Sequence, residues 1–83
     1  MELTTMKNIG TEMEKKLNSI GVDTAENLTQ LGSKNAFIQL KMIYPEVCLV
    51  HLYTLQGAID NIDFNMLSSE TKAELKEFNE SLK

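Results

Sequence analysis

Apolar residues recur at helical spacing along most of this chain, in short segments that glycine or proline separates. The first segment places Met13, Leu17 and Ile20 at positions i, i+4 and i+7, which lie on one face of an α-helix. Thr11 precedes this face as an N-cap residue, and Gly21 follows it as a left-handed C-terminal stop. The pattern predicts a first helix from Thr11 to about Ile20.

A second helix is predicted from Ala25 to Leu31, with Thr24 as its N-cap and Gly32 at its end. Residues ahead of Ile9 are apolar enough to dock on the same core as a short helical turn. Two short helices joined by tight glycine turns form a helical hairpin. We therefore predict a hairpin unit over about residues 6–32.

Ser33 is predicted to cap a third helix that stops at Tyr44, because a residue before proline is disfavoured in the α region and Pro45 follows. The next segment, about residues 48–59, is apolar nearly all round, which is typical of a helix packed on several sides. The apolar face of the third helix comprises Ala36, Phe37, Leu40, Ile43 and Tyr44.

Gly57 lies inside the predicted central helix, where glycine is less favourable than alanine by about 1 kcal/mol. Its presence indicates that another backbone passes close by, and a helix crossing is the simplest reason. A last helix is predicted over about residues 68–82, with Leu75, Phe78 and Leu82 facing inward. No period-2 run occurs, so the prediction is an all-α, compact single domain of about five short helices over residues 1–83.

Composition is consistent with a packed globular domain, with 42% hydrophobic and 24% charged residues in 83. The net charge of −4 lies entirely after residue 44, and the chain contains no arginine. Counterion release needs clustered cations, and guanidinium groups make the commonest base-specific contact. Sequence-specific DNA recognition by this chain alone is therefore not expected.

Cys48 and His51 lie at i and i+3 on one helix face, where they could be two metal ligands, in one chain or across a symmetric dimer. The alternative is a small core cysteine and a partly buried histidine with a helix-local hydrogen bond. A closed zinc site takes four ligands, and 83 residues leave little room for a cleft. We expect no metal, cofactor, small-molecule substrate or enzymatic activity.

Cellular location follows from what the sequence lacks. It has no apolar run approaching 18 residues and no signal-like segment near Met1, and the single cysteine cannot form an intramolecular disulfide. We expect a cytoplasmic protein without a membrane partner.

Several blocks of this sequence resemble the C-terminal domain of the TfoX (Sxy) family. They are Asn-Ile-Gly at 8–10, Gly-Val-Asp-Thr-Ala-Glu-Asn-Leu-Thr-Gln-Leu-Gly at 21–32, and the stretch 36–64 with Leu-Lys-Met-Ile-Tyr-Pro and Leu-Tyr-Thr-Leu-Gln-Gly-Ala-Ile. Two-domain members of the family regulate DNA-uptake competence in bacteria and carry an α/β domain ahead of this one. The resemblance implies at most the second half of such a regulator.

Residues 6–32 also resemble the helix-hairpin-helix motif, in which amides at a helix start face a DNA phosphate without sequence preference. By position, the resemblance implies the amides of Ile9, Gly10 and Thr11. Asn8 stands where the first glycine of the motif usually sits, and asparagine tolerates the left-handed conformation. The cations near these amides are Lys7, Lys15 and Lys16.

Two interpretations of the hairpin remain open. In the first, the hairpin binds nucleic acid weakly through these amides and lysines. In the second, its glycines only permit tight helix packing, and the lysines form a solvated face in which Glu12 pairs with Lys16. In the second case the chain is a protein-binding or homodimerising module, and apolar residues left uncovered on the central helix would form its interface. The candidate interface residues are Leu49, Val50, Leu52 and Tyr53.

Overall fold

The chain folds into five α-helices and two short 3-10 helices in a computed structural model that describes residues 1–82. Within these residues the only β contact is an isolated antiparallel bridge between Glu2 and Thr24, so the predicted all-α fold is confirmed. The 3-10 helices are Leu3–Thr5 and Phe64–Met66. The α-helices are α1 Thr11–Ser19, α2 Ala25–Leu31, α3 Ser33–Ile43, α4 Leu49–Asp60 and α5 Ser69–Ser81.

Local signals set most of the helix ends. Gly21 and Gly32 have positive φ angles of 84° and 89°, which glycine adopts without steric penalty. The Oγ1 atom of Thr24 accepts a hydrogen bond from the Asn27 amide at 3.0 Å and so caps α2 as predicted. Tyr44 is the C-cap of α3 and Pro45 directly follows it, also as predicted.

Two predicted N-caps are wrong by one residue. Gly10 is the N-cap of α1, and Thr11 is the first helical residue. Gly32 serves as both the C-cap of α2 and the N-cap of α3, so Ser33 already lies inside α3. The buried Ser33 hydroxyl donates instead to Oε1 of Gln56 on α4, at 2.5 Å.

Helix α4 is the central helix, as predicted. It contacts α2, α3, α5 and the 3-10 helix Phe64–Met66, while α1 contacts α3 and the 3-10 helix Leu3–Thr5. Burial of apolar side chains among these elements is the main stabilising contribution to the domain. The largest fully buried side chains are Phe37, Leu3, Leu17, Leu28, Leu40, Leu52, Leu55, Leu75 and Val47.

Two apolar side chains that were predicted to face inward are exposed. The buried stripe of α3 continues from Leu40 to the half-buried Tyr44, and Ile43 lies at the edge of that stripe. Leu82 follows the last residue of α5 as its C-cap and so lies beyond the helical face that contains Leu75. Helical periodicity identified the apolar stripe of each helix correctly, but not the residue at which the stripe is no longer covered by another part of the domain.

The close approach at Gly57 is real, but no other α-helix crosses there. Asn61 adopts the left-handed conformation after α4 and turns the chain back over its last turn. A Cβ atom on Gly57 would lie 2.7 Å from the carbonyl oxygen of Ile62, 3.3 Å from Cα of Phe64 and 2.6 Å from Nδ2 of Asn8. The neighbours of Gly57 are therefore the returning link, the first residue of the 3-10 helix Phe64–Met66 and one side chain of the hairpin, so the predicted crossing by another α-helix is wrong.

Candidate functional site

Two of the three backbone amides predicted to face a phosphate are unpaired at the start of α1. Gly10 has no side chain to cap the helix, and the first helical hydrogen bond runs from the Glu14 amide to the Gly10 carbonyl oxygen at 3.0 Å. Within residues 1–82, the amides of Gly10 and Thr11 donate to no protein acceptor. The positive end of the helix dipole adds to these two N–H groups, so the turn can accept an anion.

The third predicted amide is not available. Ile9 donates its N–H to the carbonyl oxygen of Met6 at 3.4 Å, and its side chain is buried in the core. Ile9 therefore anchors the turn, whereas Gly10 and Thr11 form its exposed edge.

The three predicted lysines differ in their surroundings. Lys7 and Lys15 are exposed, and neither forms an ion pair or ring contact with another described residue. Lys15 follows Thr11 by four residues, so the two lie on the same side of α1 one turn apart. Lys16 is half-buried, with its Nζ atom 5.3 Å from the centroid of the Tyr44 ring.

The expected ion pair between Glu12 and Lys16 does not form. Among residues 1–82 the ion pairs are Lys34 with Glu74 and the amino group of Met1 with Glu26. The reason is tertiary, because Tyr44, the C-cap residue of α3, lies beside α1 with its ring under the Lys16 ammonium. The Tyr44 hydroxyl is fixed in that place by a 2.8 Å hydrogen bond with Ser19 Oγ.

Acidic side chains limit the attraction of this turn for anions. Glu12 and Glu14 both lie in the first turn of α1, Glu12 exposed and Glu14 half-buried. Carboxylates at a helix N-terminus stabilise the helix and at the same time repel a phosphate. Any anion contact at Gly10 and Thr11 is therefore weak.

Asn8 has a role that the sequence interpretation missed. Its φ angle is 70°, as the turn requires, and its side chain reaches across the domain. The Nδ2 atom donates to the carbonyl oxygens of Ile62 at 3.0 Å and Thr54 at 3.5 Å, and Oδ1 accepts from the Phe64 amide at 3.3 Å. The signal that pointed to this contact was Gly57, whose missing side chain leaves the space that Asn8 occupies.

Cys48 and His51 form a local helix cap. The Nδ1 atom of His51 accepts a hydrogen bond from the Cys48 amide at 3.0 Å and lies 3.6 Å from Cys48 Sγ. The helix-local hydrogen bond of His51 is confirmed, but Cys48 is exposed and not a core residue. Cys48 precedes the first turn of α4, so it lies outside the buried stripe of that helix.

No metal-binding cluster is apparent near this cap. Within residues 1–82, no group of three or more histidine, cysteine, aspartate or glutamate side chains is placed to hold a metal ion.

The four candidate interface residues do not share one surface. Leu52 is 0% exposed and belongs to the core, so it cannot contact a partner. Leu49 and Tyr53 are half-buried against the core, and the Tyr53 hydroxyl donates to the Lys72 carbonyl oxygen at 3.4 Å. Only Val50, at 51% exposed, projects into solvent.

Two of the other exposed apolar side chains lie on α3, where no interface was predicted. Met42 is 81% exposed and Ile43 is 51% exposed, both in the last turn of the helix. Val50 lies in the first turn of α4, just after the link that joins the two helices. Within residues 1–82, no helix is long and apolar enough to cross a membrane.

Comparison with known proteins places this chain in a family. Residues 1–79 match the family model described as the TfoX C-terminal domain. No protein with a curated description matches the sequence.

Two crystal structures of proteins from Listeria monocytogenes are similar to this one, each with 36% sequence identity, a TM-score of 0.95 and 99% of this chain covered. One is of an uncharacterized protein in a triclinic form, of which 93% is covered, and the other is of a protein of unknown function in a tetragonal form, of which 100% is covered. Because the family model matches residues 1–79, the chain belongs to the TfoX C-terminal domain family.

Proposed function

We propose that this protein is a non-enzymatic interaction module that contacts nucleic-acid phosphates weakly and without sequence preference at the turn before α1. The observation that carries the proposal is the pair of unpaired amides of Gly10 and Thr11 beside the exposed lysines Lys7 and Lys15. Amides at a helix start bind phosphate through direct hydrogen bonds and the helix dipole, and lysines add charge attraction. Lys16 is a lesser contributor, because its ammonium group lies over Tyr44.

The composition accounts for the low affinity and the lack of specificity. The chain has no arginine and a net charge of −4, so little long-range attraction steers DNA toward it. The turn offers only backbone N–H groups and two flexible ammonium groups, and phosphate contacts carry no sequence information. A module of this kind serves best as an accessory contact in a larger assembly.

Membership of the TfoX C-terminal family supports a bacterial, cytoplasmic setting and a regulatory role in DNA-uptake competence as part of the proposal. The proposal does not require the chain to act alone. A weak phosphate contact adds to the affinity of a second binding surface in the same assembly, because a tethered contact gains effective concentration.

The first experiment is fluorescence anisotropy of a short labelled duplex titrated with the protein between about 50 and 200 mM salt. If Lys7 and Lys15 each neutralise one phosphate, the slope of log K against log salt is about −1.8, and affinity falls about twelvefold over this range. Lys15→Glu should weaken binding and flatten the slope by about 1. Lys76→Glu is the matched control, because it makes the same charge change on the exposed surface of α5.

A second pair of variants, Thr11→Pro and Thr11→Ala, tests the contribution of the Thr11 amide to phosphate binding. Thr11 is the first residue of α1, where proline is well tolerated, and Gly10 ahead of it is extended with ψ of −175°. Thr11→Pro therefore removes one N–H group and keeps the helix, whereas Thr11→Ala removes only the side chain. We expect about tenfold weaker binding for the proline variant, the loss of one hydrogen bond to a charged group.

Equal affinity of the two Thr11 variants would show that the amide does not bind phosphate. Absence of any binding at 50 mM salt would refute the nucleic-acid contact altogether. The alternative function is then a protein-binding or homodimerising module, which the exposed side chains of Met42, Ile43 and Val50 favour. Sedimentation velocity at high protein concentration distinguishes a homodimer from a monomer that binds a different protein.

A further inference from the structure

Asn8 is unusual because the hydrogen-bond partners of its side chain are distant in sequence from the turn in which Asn8 lies. The two donors of Nδ2 are directed to the carbonyl oxygens of Ile62 and Thr54, and Oδ1 accepts from the Phe64 amide. These partners lie 46 to 56 residues further along the chain. One carboxamide thus joins the turn before α1 to α4 and to the segment that follows α4.

We propose that Asn8 is a positioning residue that fixes the exposed amides of Gly10 and Thr11 relative to the second half of the domain. Gly10 is two residues from Asn8, and no side-chain cap holds the start of α1 in place. Among the described residues, the turn is otherwise held by buried Ile9 and by the hydrogen bond from its amide to Met6. The binding role of this placement rests on the proposed phosphate contact.

Side-chain chemistry explains why asparagine occupies this position. The φ angle of 70° disfavours most residues, and glycine, asparagine and aspartate tolerate it best. Glycine would keep the turn but lose all three hydrogen bonds. Aspartate would keep the acceptor but place a second oxygen against the carbonyl oxygens of Ile62 and Thr54, where a donor is needed. Only asparagine combines the backbone conformation with both donors and the acceptor.

Asn61 supplies a matched control for the test. It is the other non-glycine residue with a positive φ in residues 1–82, at 59°, and its side chain forms no hydrogen bond with a described residue. Asn8→Gly and Asn61→Gly therefore make the same chemical change at the same type of backbone conformation. Only the first removes the bridge.

The experiment measures ¹⁵N heteronuclear NOE values in both variants at a temperature well below unfolding, followed by the DNA titration. In Asn8→Gly we expect the NOE of Gly10 and Thr11 to fall toward values for loops, with α3 unchanged, and DNA affinity to drop severalfold at an unchanged salt slope. Asn61→Gly should leave both readouts as in the parent chain. A purely stabilising role of Asn8 would lower the unfolding temperature without changing the order of these amides.

Ordered Gly10 and Thr11 amides in Asn8→Gly would overturn the positioning role, whatever happens to DNA binding. Loosened amides with unchanged DNA affinity, or a parent chain that binds no DNA, would refute the phosphate contact and leave the positioning of the turn standing. If Asn8→Gly does not fold, hydrogen exchange of the Asn8 side-chain amide in the parent chain still tests the bridge. In the parent chain the two Nδ2 protons should exchange slowly with solvent, and fast exchange of both would also overturn the bridge.

Discussion

Replacing Gly57 by alanine tests the bridge between the hairpin and the central helix from the opposite side. In an exposed helix interior this change stabilises by about 1 kcal/mol, because glycine is a poor helix former. Here the new methyl group would lie 2.6 Å from Asn8 Nδ2 and 2.7 Å from the Ile62 carbonyl oxygen. Both distances are far below van der Waals contact, so the side chain and the link must move.

The expected magnitude follows from three effects. Overpacking by one methyl group costs about 2 kcal/mol. Displacement of Asn8 weakens three hydrogen bonds that are mostly long, at 3.0 to 3.5 Å, and we assign about 2 kcal/mol to their loss. The gain in helix propensity offsets about 1 kcal/mol. Gly57→Ala should therefore destabilise the domain by about 3 kcal/mol, a large part of the stability of a small domain.

Urea denaturation followed by circular dichroism measures this difference directly. A double-mutant cycle with Asn8→Gly then identifies the cause. In the double variant the Asn8 hydrogen bonds are lost once instead of twice and the nearest clashing atom is gone, so it should be at least about 2 kcal/mol more stable than additivity predicts, while the clash with the Ile62 carbonyl oxygen remains. A Gly57→Ala protein as stable as the parent would refute the close approach, and strict additivity would show that Asn8 does not share the space.

Two further predictions concern the core and the surface. Leu52→Ala should destabilise the domain by about 3 kcal/mol, because Leu52 is fully buried. Val50→Ala on the same helix should change the free energy of unfolding by less than about 0.5 kcal/mol, because Val50 is exposed. Equal effects of the two variants in urea denaturation would contradict the assignment of Leu52 to the buried face of α4 and Val50 to its exposed face. The hydrogen bond and charge of Lys34 hold the pKa of Glu74 below its ordinary value of 4.5, so the stabilising contribution of this pair is present above that pH and is lost as pH falls through the lowered folded-state pKa. An NMR titration of the Glu74 carboxyl group should show its pKa return to the ordinary value in Lys34→Gln, and an unchanged pKa in that variant would show that the pair has no effect.

Helix positions were largely predictable from the sequence because their signals are local. The two glycines with positive φ, the Thr24 cap and the proline after α3 each act within one or two turns of chain. The errors at the starts of α1 and α3 are one residue each, and they occur where a glycine took the capping position from Thr11 or Ser33. Periodicity fixed which side chains could face a core, and α4 is central as its apolar sequence indicated.

The sequence located the candidate site to one turn but could not select the groups within it. Ile9, Gly10 and Thr11 look equivalent as amide donors in the sequence, yet the structure pairs Ile9 and leaves the other two unpaired. The environments of the neighbouring residues Lys15 and Lys16 also differ, because Tyr44, at the end of α3, lies close enough to contact Lys16 and not Lys15.

By itself, then, the sequence determined the all-α class, the helix boundaries to about one residue and the place of the glycine turns, since these depend on interactions between residues close in the chain. Only the tertiary structure decided that Asn8 and Gly57 act together, that Leu52 is buried while Val50 is exposed, and which amides remain unpaired. The Asn8 contacts join residues 46 to 56 positions apart. Local periodicity contains no information about such pairs, because they form only when the packed helices bring distant segments together.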